Sequence, residues 1–283
     1  MAEFSSLHSY KEFAQSVTSE ARYIHTPSVR SFLEAVKETS KTRERLLRKG
    51  EPFYRAQRGS AWRTEQIAEG ETAEVECAFP PERMIPNAKF VGHGRANPRG
   101  IACLYVATSS ETAMAEIRPW IQSSISLAAF EIARDCRIVD CSVDASRSWI
   151  IELDSLLAGI AKTYQFTANE QEKAVWGDIA YAFSKPVEAS ESELSYLPTQ
   201  ILAEFFRDAG YDGVSYNSLL VKGGRNIALF DLSAAQLLNY GLHVVESISY
   251  SFQERDSPYY LNLRGEPEAS SSENDHDRKE DFT

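Results

Sequence analysis

The sequence predicts an α+β fold built around a mixed or mostly antiparallel sheet. Segments with the two-residue alternation of strands and segments with helical spacing follow one another without the regular strand–helix–strand order that produces a parallel sheet. The chain has 283 residues, 43% of them hydrophobic and 25% charged, which is typical of a globular protein with a full core. We predict a helical N-terminal extension over residues 1–50, a central domain over 51–255, and an acidic, disordered tail over 256–283.

The N-terminal extension is predicted to contain two helices between residues 6 and 48. The second carries Val29, Phe32, Leu33 and Val36 on one stripe, continues through the charged segment KTRERLLRK, and ends at Gly50. We expect this pair to pack on the central domain as scaffold.

The central domain begins with a short predicted strand at Phe53–Ala56. Residues 64–100 are rich in proline and glycine and predict a long loop, and a loop of this length in a globular chain is more often functional than not. A strand at Ile101–Ala107 is apolar on both faces and should be internal. A capping box with Thr108 as N-cap and Glu111 predicts a helix that runs to about Trp120.

The remaining elements follow from the same patterns. Strands are predicted at Leu127–Ala133, Arg137–Cys141, Gly213–Ser218, Ile227–Phe230 and His243–Ser251, and helices at about 150–162, 169–183 and 198–209.

The net charge of the chain argues against nucleic acid as a general partner. The net charge of −11 and the pI of about 5.1 argue against general nucleic-acid binding. Residues 266–283 carry seven acidic and two basic residues, whereas six arginines lie between residues 55 and 99. A locally positive region on an acidic protein suits a small anionic ligand better than a polymer.

Several features favour a cytoplasmic protein. The four cysteines have no zinc-like or CxxC spacing and are predicted to be buried thiols. The first residues have neither a basic nor an apolar stretch, so we expect no secretory signal, and no apolar run approaches membrane-spanning length.

Glu116 is the first candidate for chemistry. On a helix it shares a column with Ala113 and Trp120, so it should face the edge of the core or a cleft, where a carboxylate needs partners. From this pattern alone, a salt-bridged structural glutamate is the more common explanation.

Three further groups surround Glu116 in the sequence. The ring of Tyr105, on the internal strand, is suited to stacking on a planar heterocycle, although a core tyrosine is the commoner case. Arg55 lies in an apolar strand and Arg95 among glycines, and arginine binds phosphate bidentately. Ser218 and Asn226 lie on a predicted hairpin around Gly223–Gly224, where ordinary hairpin decoration is the simpler explanation.

Familiar nucleotide and hydrolase motifs are absent from the sequence. There is no GxGxxG in a strand-to-helix context, no P-loop, no GxSxG and no HExxH, and the five histidines are scattered.

The order of these motifs resembles the RES domain family, which is named for an arginine, a glutamate and a serine. The resemblance spans roughly residues 51–232 and rests on Tyr54–Arg55, Arg95–Gly100, LYVA at 104–107, SSETAMAE at 109–116, and the paired segments YDGVSYNS and GRNIALF. The segment from Leu104 to Glu116 is its most specific part. The family often has an aromatic residue where this chain has Ala96, so a wall of the pocket is expected to be missing.

The resemblance implies roles for individual residues. Arg55 or Arg95 is the family arginine, Glu116 its glutamate, and Ser218 its serine, with Ser215 as a competing assignment. Tyr105 is the strand tyrosine, assigned with Glu116 and Arg55 to catalysis. Arg95, Ser218, Asn226 and Tyr54 are assigned to substrate binding.

The resemblance also implies a fold and an activity. The fold is similar to ADP-ribosyltransferase domains, and the activity is breakdown of NAD⁺ at the nicotinamide–ribose bond by phosphorolysis or hydrolysis, with no metal or further cofactor. Family members are often toxins restrained by a separate antitoxin. The alternatives are ADP-ribosylation of a macromolecule and a non-catalytic nucleotide-binding module.

Overall fold

The computed structural model describes residues 3–143, 166–185 and 193–252. Its helices are α1 (Ser9–Ser19), α2 (Pro27–Ser40), α3 (Pro81–Met84), α4 (Ser110–Glu116), α5 (Ala168–Ser184) and α6 (Leu197–Asp208). Its strands are β1 (Glu44–Leu47), β2 (Pro52–Arg58), β3 (Ala61–Ala68), β4 (Glu71–Cys77), β5 (Leu104–Ala107), β6 (Ser124–Ile132), β7 (Cys136–Asp140), β8 (Gly213–Asn217), β9 (Arg225–Leu229) and β10 (Ala235–Val244). The helix predicted at 150–162 and the predicted tail lie outside the described residues.

The central sheet is mixed, as predicted. Within the described residues it has eight strands in the order β1-β7-β8-β9-β5-β2-β6-β10, and β3 and β4 form a separate hairpin. The pairing of β7 with β8 is parallel, whereas β8–β9, β9–β5, β5–β2 and β2–β6 are antiparallel. The α+β class predicted from the sequence is therefore confirmed.

Apolar clusters cover both faces of this sheet. Val214 and Tyr216 of β8 share one core cluster with Phe13 of α1, Trp176 of α5 and Phe206 of α6. Successive side chains of a strand point to opposite faces of the sheet. The strand residues that point to the other face form the second cluster, which includes Phe53, Phe130, Ile138 and Leu229. Such burial on both sides explains the apolar character of both faces of β5.

The N-terminal helices belong to the same compact unit as the sheet, which comprises residues 1–246. Thr26 caps α2 by accepting a hydrogen bond from Val29 N at 3.3 Å. The prediction that this helix continues to residue 48 is wrong. It ends at Ser40, and residues 44–47 pair with β7 as strand β1, with Leu47 fully buried.

Two other predictions near the site are also corrected. Part of the predicted loop 64–100 is the β3–β4 hairpin, which extends from Ala61 to Cys77. Ser109, not Thr108, caps α4, and the helix ends at Glu116 rather than Trp120. Pro119 disfavours helical backbone at Arg118, which adopts a positive φ of 47°.

Three further features concern the cysteines, membrane-spanning helices and the C-terminal unit. Cys103, Cys136 and Cys141 are buried free thiols, and Cys77 is a half-buried free thiol. No helix in residues 3–143, 166–185 and 193–252 combines the length and the apolar character needed to cross a membrane. A second unit comprises residues 247–283, of which 247–252 are described and contain no regular element.

Candidate active site

A cavity of about 250 Å³ brings the predicted site residues together. Six of the seven line it: Tyr54, Arg55, Arg95, Tyr105, Glu116 and Asn226. Much of the remaining lining is apolar, with alanines from β2, β5 and α4. The cavity therefore combines one carboxylate and two guanidinium groups in a partly apolar setting, which is the usual make-up of a small-molecule site.

The carboxylate of Glu116 is held by two donors. Its Oε1 accepts hydrogen bonds from the Ser218 hydroxyl and the Asn226 amide, both at 2.7 Å. The side chain is 18% exposed, so the carboxylate is shielded but accessible from the cavity. Because Glu116 is the last residue of α4, where the helix dipole disfavours negative charge, these donors compensate for both the location and the burial.

The packing of α4 against the β8–β9 turn places Glu116 near its two donors. The side chain of Ser109 accepts from Thr112 N and begins the helix. A Cβ at Gly224 would lie 2.4 Å from the Thr112 hydroxyl oxygen, so this close approach requires glycine in the turn. The first turn of α4 thus rests on the hairpin that carries Ser218 and Asn226.

Ser218 and Asn226 contact Glu116, and their role in binding substrate stays a prediction. Both donate to Glu116, and the Ser218 hydroxyl also accepts from the backbone N–H groups of Leu220 and Val221 at 3.1 and 3.2 Å. The competing assignment, Ser215, is fully buried and its hydroxyl has no partner among the described residues. The geometry favours Ser218 as the serine of the site, with Glu116 as its partner.

Arg95 approaches the other oxygen of Glu116. Its Nη1 lies 3.8 Å from Glu116 Oε2, and its guanidinium lies 5.8 Å from the centre of the Tyr216 ring. Burial lowers the pKa of Arg95, but the interactions with Tyr216 and Glu116 outweigh burial and raise the pKa above its usual value. Arg95 is therefore a permanent positive charge beside the carboxylate.

The loop that carries Arg95 is fixed by Tyr105. The Tyr105 hydroxyl donates to Asn97 Oδ1 at 2.7 Å and accepts from Ala96 N at 2.8 Å. A Cβ at Gly94 would lie 2.6 Å from this hydroxyl oxygen, so the close packing requires glycine. Burial raises the pKa of Tyr105 well above its usual value, and the phenol remains a hydrogen-bond donor.

Gln200 holds the same loop from the opposite side, and sequence reasoning missed it. From α6, its Nε2 donates to the carbonyl groups of Gly94 and Asn97 at 2.9 and 3.0 Å. Its side chain is buried although its type is polar. A glutamine beside the apolar stripe of a predicted helix was the signal available in the sequence, but its partners lie more than 100 residues away.

Arg55 occupies an opening in the sheet. In the part of the chain that the structure describes, β2 and β5 pair at one position, Tyr54 with Ala107. Beyond it, Arg55 Nη1 donates to the Tyr105 carbonyl at 3.2 Å, and its Nε is buried with no partner among the described residues. Burial lowers the pKa of Arg55 to about 10, and its guanidinium contacts no carboxylate of these residues.

Ala96, where the family often has an aromatic residue, is buried away from the cavity. Ala96 is 4% exposed and belongs to the core cluster beneath the sheet. It is not among the residues that line the cavity. The expectation that Ala96 leaves the pocket without an aromatic wall stays a prediction.

Comparison with known proteins identifies the family. The RES domain model matches residues 60–252, so this chain belongs to the RES domain family. No curated protein matches the chain. Among solved structures, it is similar to the crystal structure of the M. tuberculosis MbcT–MbcA toxin–antitoxin complex, with 14% identity over 72% of this chain and 90% of that one and a TM-score of 0.34. That similarity is too distant to transfer a residue or an activity.

Proposed function

We propose that this protein cleaves the bond between nicotinamide and ribose in NAD⁺ and transfers the ADP-ribosyl group to phosphate or water. The observation that supports the proposal best is the arrangement around Glu116. Its carboxylate is held by Ser218 and Asn226 at 2.7 Å, and it shares a cavity with Arg55, Arg95 and Tyr105. Membership of the RES domain family supports the same activity.

The chemistry needs charge stabilisation rather than a proton donor. When the C–N bond breaks, its electron pair leaves with nicotinamide, which departs as a neutral base. The ribosyl group then carries positive charge, as in other glycosyl transfers. A fixed carboxylate beside the ribose stabilises that charge, and we assign this role to Glu116.

The donors to Glu116 prepare it for this role. Two hydrogen bonds to Oε1 fix the carboxylate before substrate arrives, so little reorganisation is needed during the reaction. Ser218 and Asn226 thus act as positioning residues in this proposal. The second oxygen, Oε2, remains directed toward Arg95 at 3.8 Å.

The two arginines provide the complementary charge. We assign Arg55 to the pyrophosphate of NAD⁺, because its buried charge lacks an acidic partner among the described residues. Arg95 either joins it or binds the attacking phosphate. In phosphorolysis a phosphate oxygen forms the new bond to the ribose carbon, and in hydrolysis water does so and loses a proton.

We further propose a toxin-type role in which a separate antitoxin chain restrains the enzyme. This proposal rests on membership of the family rather than on a surface of this molecule. Expression of the wild type should arrest growth of a host cell, and Glu116→Gln should relieve the arrest. Equal arrest by both forms would show that NAD⁺ cleavage is not the cause.

Incubation of the purified protein with NAD⁺, with and without inorganic phosphate, tests the reaction. Chromatography should detect free nicotinamide in either case. ADP-ribose 1″-phosphate as the second product indicates phosphorolysis, and ADP-ribose indicates hydrolysis. Labelled ADP-ribose on a protein or nucleic acid would instead indicate transfer to a macromolecule, and binding of NAD⁺ without any turnover would indicate a non-catalytic module.

A further inference from the structure

A second cavity of about 500 Å³ lies next to the candidate active site. Its lining includes Arg55, Gln57, Arg83, Pro86 and Phe90. Phe90 is 86% exposed. An aromatic ring exposed to this degree at the edge of a cavity is available to stack on a planar ligand.

Arg55 connects the two cavities. It lines both of them, and it lies where β2 and β5 separate beyond the pairing of Tyr54 with Ala107. Its Nε is buried without a partner among the described residues. A buried cation of this kind calls for an anionic group, and a ligand that crosses from one cavity to the other would place one there.

The size of the first cavity also favours a second binding region. Its volume of about 250 Å³ lies below the roughly 300–1,000 Å³ typical of sites that enclose a complete small ligand. This space suits the nicotinamide and its ribose, but not a whole dinucleotide. The adjacent space of about 500 Å³ suits the other half.

The segment that carries Phe90 is held firmly beside Arg55. Gln57 Nε2 donates to the Arg83 carbonyl at 2.8 Å, which ties α3 to β2. The Asn87 carbonyl accepts from the N–H groups of Phe90 and Val91 at 2.9 and 3.0 Å, which closes a turn. The ring of Phe90 is therefore presented by a hydrogen-bonded segment rather than by a free loop end.

We propose that the second cavity binds the adenosine half of the dinucleotide, with adenine stacked on Phe90 and the pyrophosphate beside Arg55. This inference rests on the proposed cleavage of NAD⁺ and adds the region of the protein that distinguishes a dinucleotide from a mononucleotide. Stacking on a single aromatic residue does not depend on which base is bound, but it changes the affinity for a base about tenfold or more.

Kinetics with whole and half substrates test the subsite. The KM for NAD⁺ and for nicotinamide mononucleotide is measured for the wild type, Phe90→Ala and a control, Tyr23→Ala. Tyr23 is 90% exposed and lines a different, larger cavity of about 770 Å³. Phe90→Ala should raise the KM for NAD⁺ about tenfold, leave kcat within about twofold, and leave the KM for the mononucleotide unchanged. Tyr23→Ala should change neither KM.

Three kinetic results would overturn the subsite. Phe90→Ala could affect both substrates equally or affect neither, or Tyr23→Ala could raise the KM for NAD⁺.

Calorimetric titration with ADP-ribose separates this inference from the proposed reaction, because it needs no turnover. If the wild type cleaves NAD⁺ but Phe90→Ala binds ADP-ribose as tightly as the wild type, the subsite is wrong and the reaction stands. If the wild type cleaves nothing but loses ADP-ribose affinity about tenfold on Phe90→Ala, the reaction is wrong and the subsite stands. If the wild type neither cleaves NAD⁺ nor binds ADP-ribose, both fail.

Discussion

The carboxylate of Glu116 and the amide of Asn226 meet at 2.7 Å, although 110 positions separate them in the chain. The contact exists because α4 rests on the hairpin between β8 and β9, where Gly224 lies against Thr112. It links the helix that carries the acid to the centre of the sheet. Substitutions in this arrangement, or in the loop that faces it, should therefore alter the reaction.

Replacement of Asn226 by aspartate should impair catalysis severely. Asn226→Asp removes a donor to Glu116 and places a second carboxylate beside it, and like charges at this distance disfavour each other. We expect kcat to fall about 100-fold, and the pH profile to change shape as the pair titrates. Asn217→Asp is the matched control, because Asn217 lies on the neighbouring strand and is exposed. A normal rate and pH profile for Asn226→Asp would show that this contact does not serve the reaction.

Ser218 and Ser215 should behave oppositely on replacement by alanine. Ser218→Ala removes a donor to Glu116 and an acceptor in the β8–β9 turn, so both kcat and the free energy of unfolding should fall, the latter by about 1–3 kcal/mol. Ser215→Ala removes a buried hydroxyl that has no partner among the described residues, so stability should stay constant or rise by up to about 1 kcal/mol, with activity retained. Rate measurements and urea unfolding check both. Loss of activity in Ser215→Ala with activity kept in Ser218→Ala would reverse the assignment of the serine.

Gln200→Leu should weaken substrate binding without touching the cavity that holds Glu116. The change leaves the Gly94 and Asn97 carbonyl groups without their side-chain donor, so the loop that carries Arg95 loses one of the side chains that anchor it. We expect the KM for NAD⁺ to rise about tenfold, with a smaller change in kcat. Gln66→Leu, on the exposed side of the β3–β4 hairpin, is the control. An unchanged KM in Gln200→Leu would show that the other contacts of the loop, including those of Tyr105, are enough to fix it.

Arg55→Met should stabilise the protein and abolish tight binding of NAD⁺. A methionine of similar length removes a buried charge that has no acidic partner among the described residues, so the free energy of unfolding should rise by about 1 kcal/mol or more. NAD⁺ should raise the thermal midpoint of the wild type but not of the variant. A destabilised variant that still responds to NAD⁺ would mean that Arg55 is a structural residue.

Local patterns in the sequence predicted the fold class and most of the residues that meet in the candidate site. The segment from Leu104 to Glu116 carries a buried strand followed by a capped helix, and both formed. The end of that helix was mispredicted because Pro119 acts on the residue before it, and the apolar Trp120 suggested continuation. The hairpin between residues 61 and 77 was missed because β3 is largely exposed and lacks apolar alternation, although Ala73, Val75 and Cys77 alternate with glutamates in β4.

The sequence does not predict which side chains meet when they are far apart in the chain. The sequence alone left Arg55 and Arg95 as alternatives, whereas the structure places both in one cavity and gives them different surroundings. Nothing local in the segment around Ser218 indicates that its hydroxyl reaches Glu116 rather than a ligand. Strand β1 was read as helix because ERLL continues a charged helical pattern, and only pairing with β7 makes it a strand.

The most direct test of the account is the rate of nicotinamide release from NAD⁺ by Glu116→Gln, with Glu111→Gln as its control. Glu111 lies on the same helix but is exposed, so the same chemical change occurs there without loss of the fixed charge. Glu116→Gln should lower the rate about 100- to 1,000-fold with the thermal midpoint nearly unchanged, and Glu111→Gln should retain the wild-type rate. A folded Glu116→Gln protein that releases nicotinamide as fast as the wild type would contradict it.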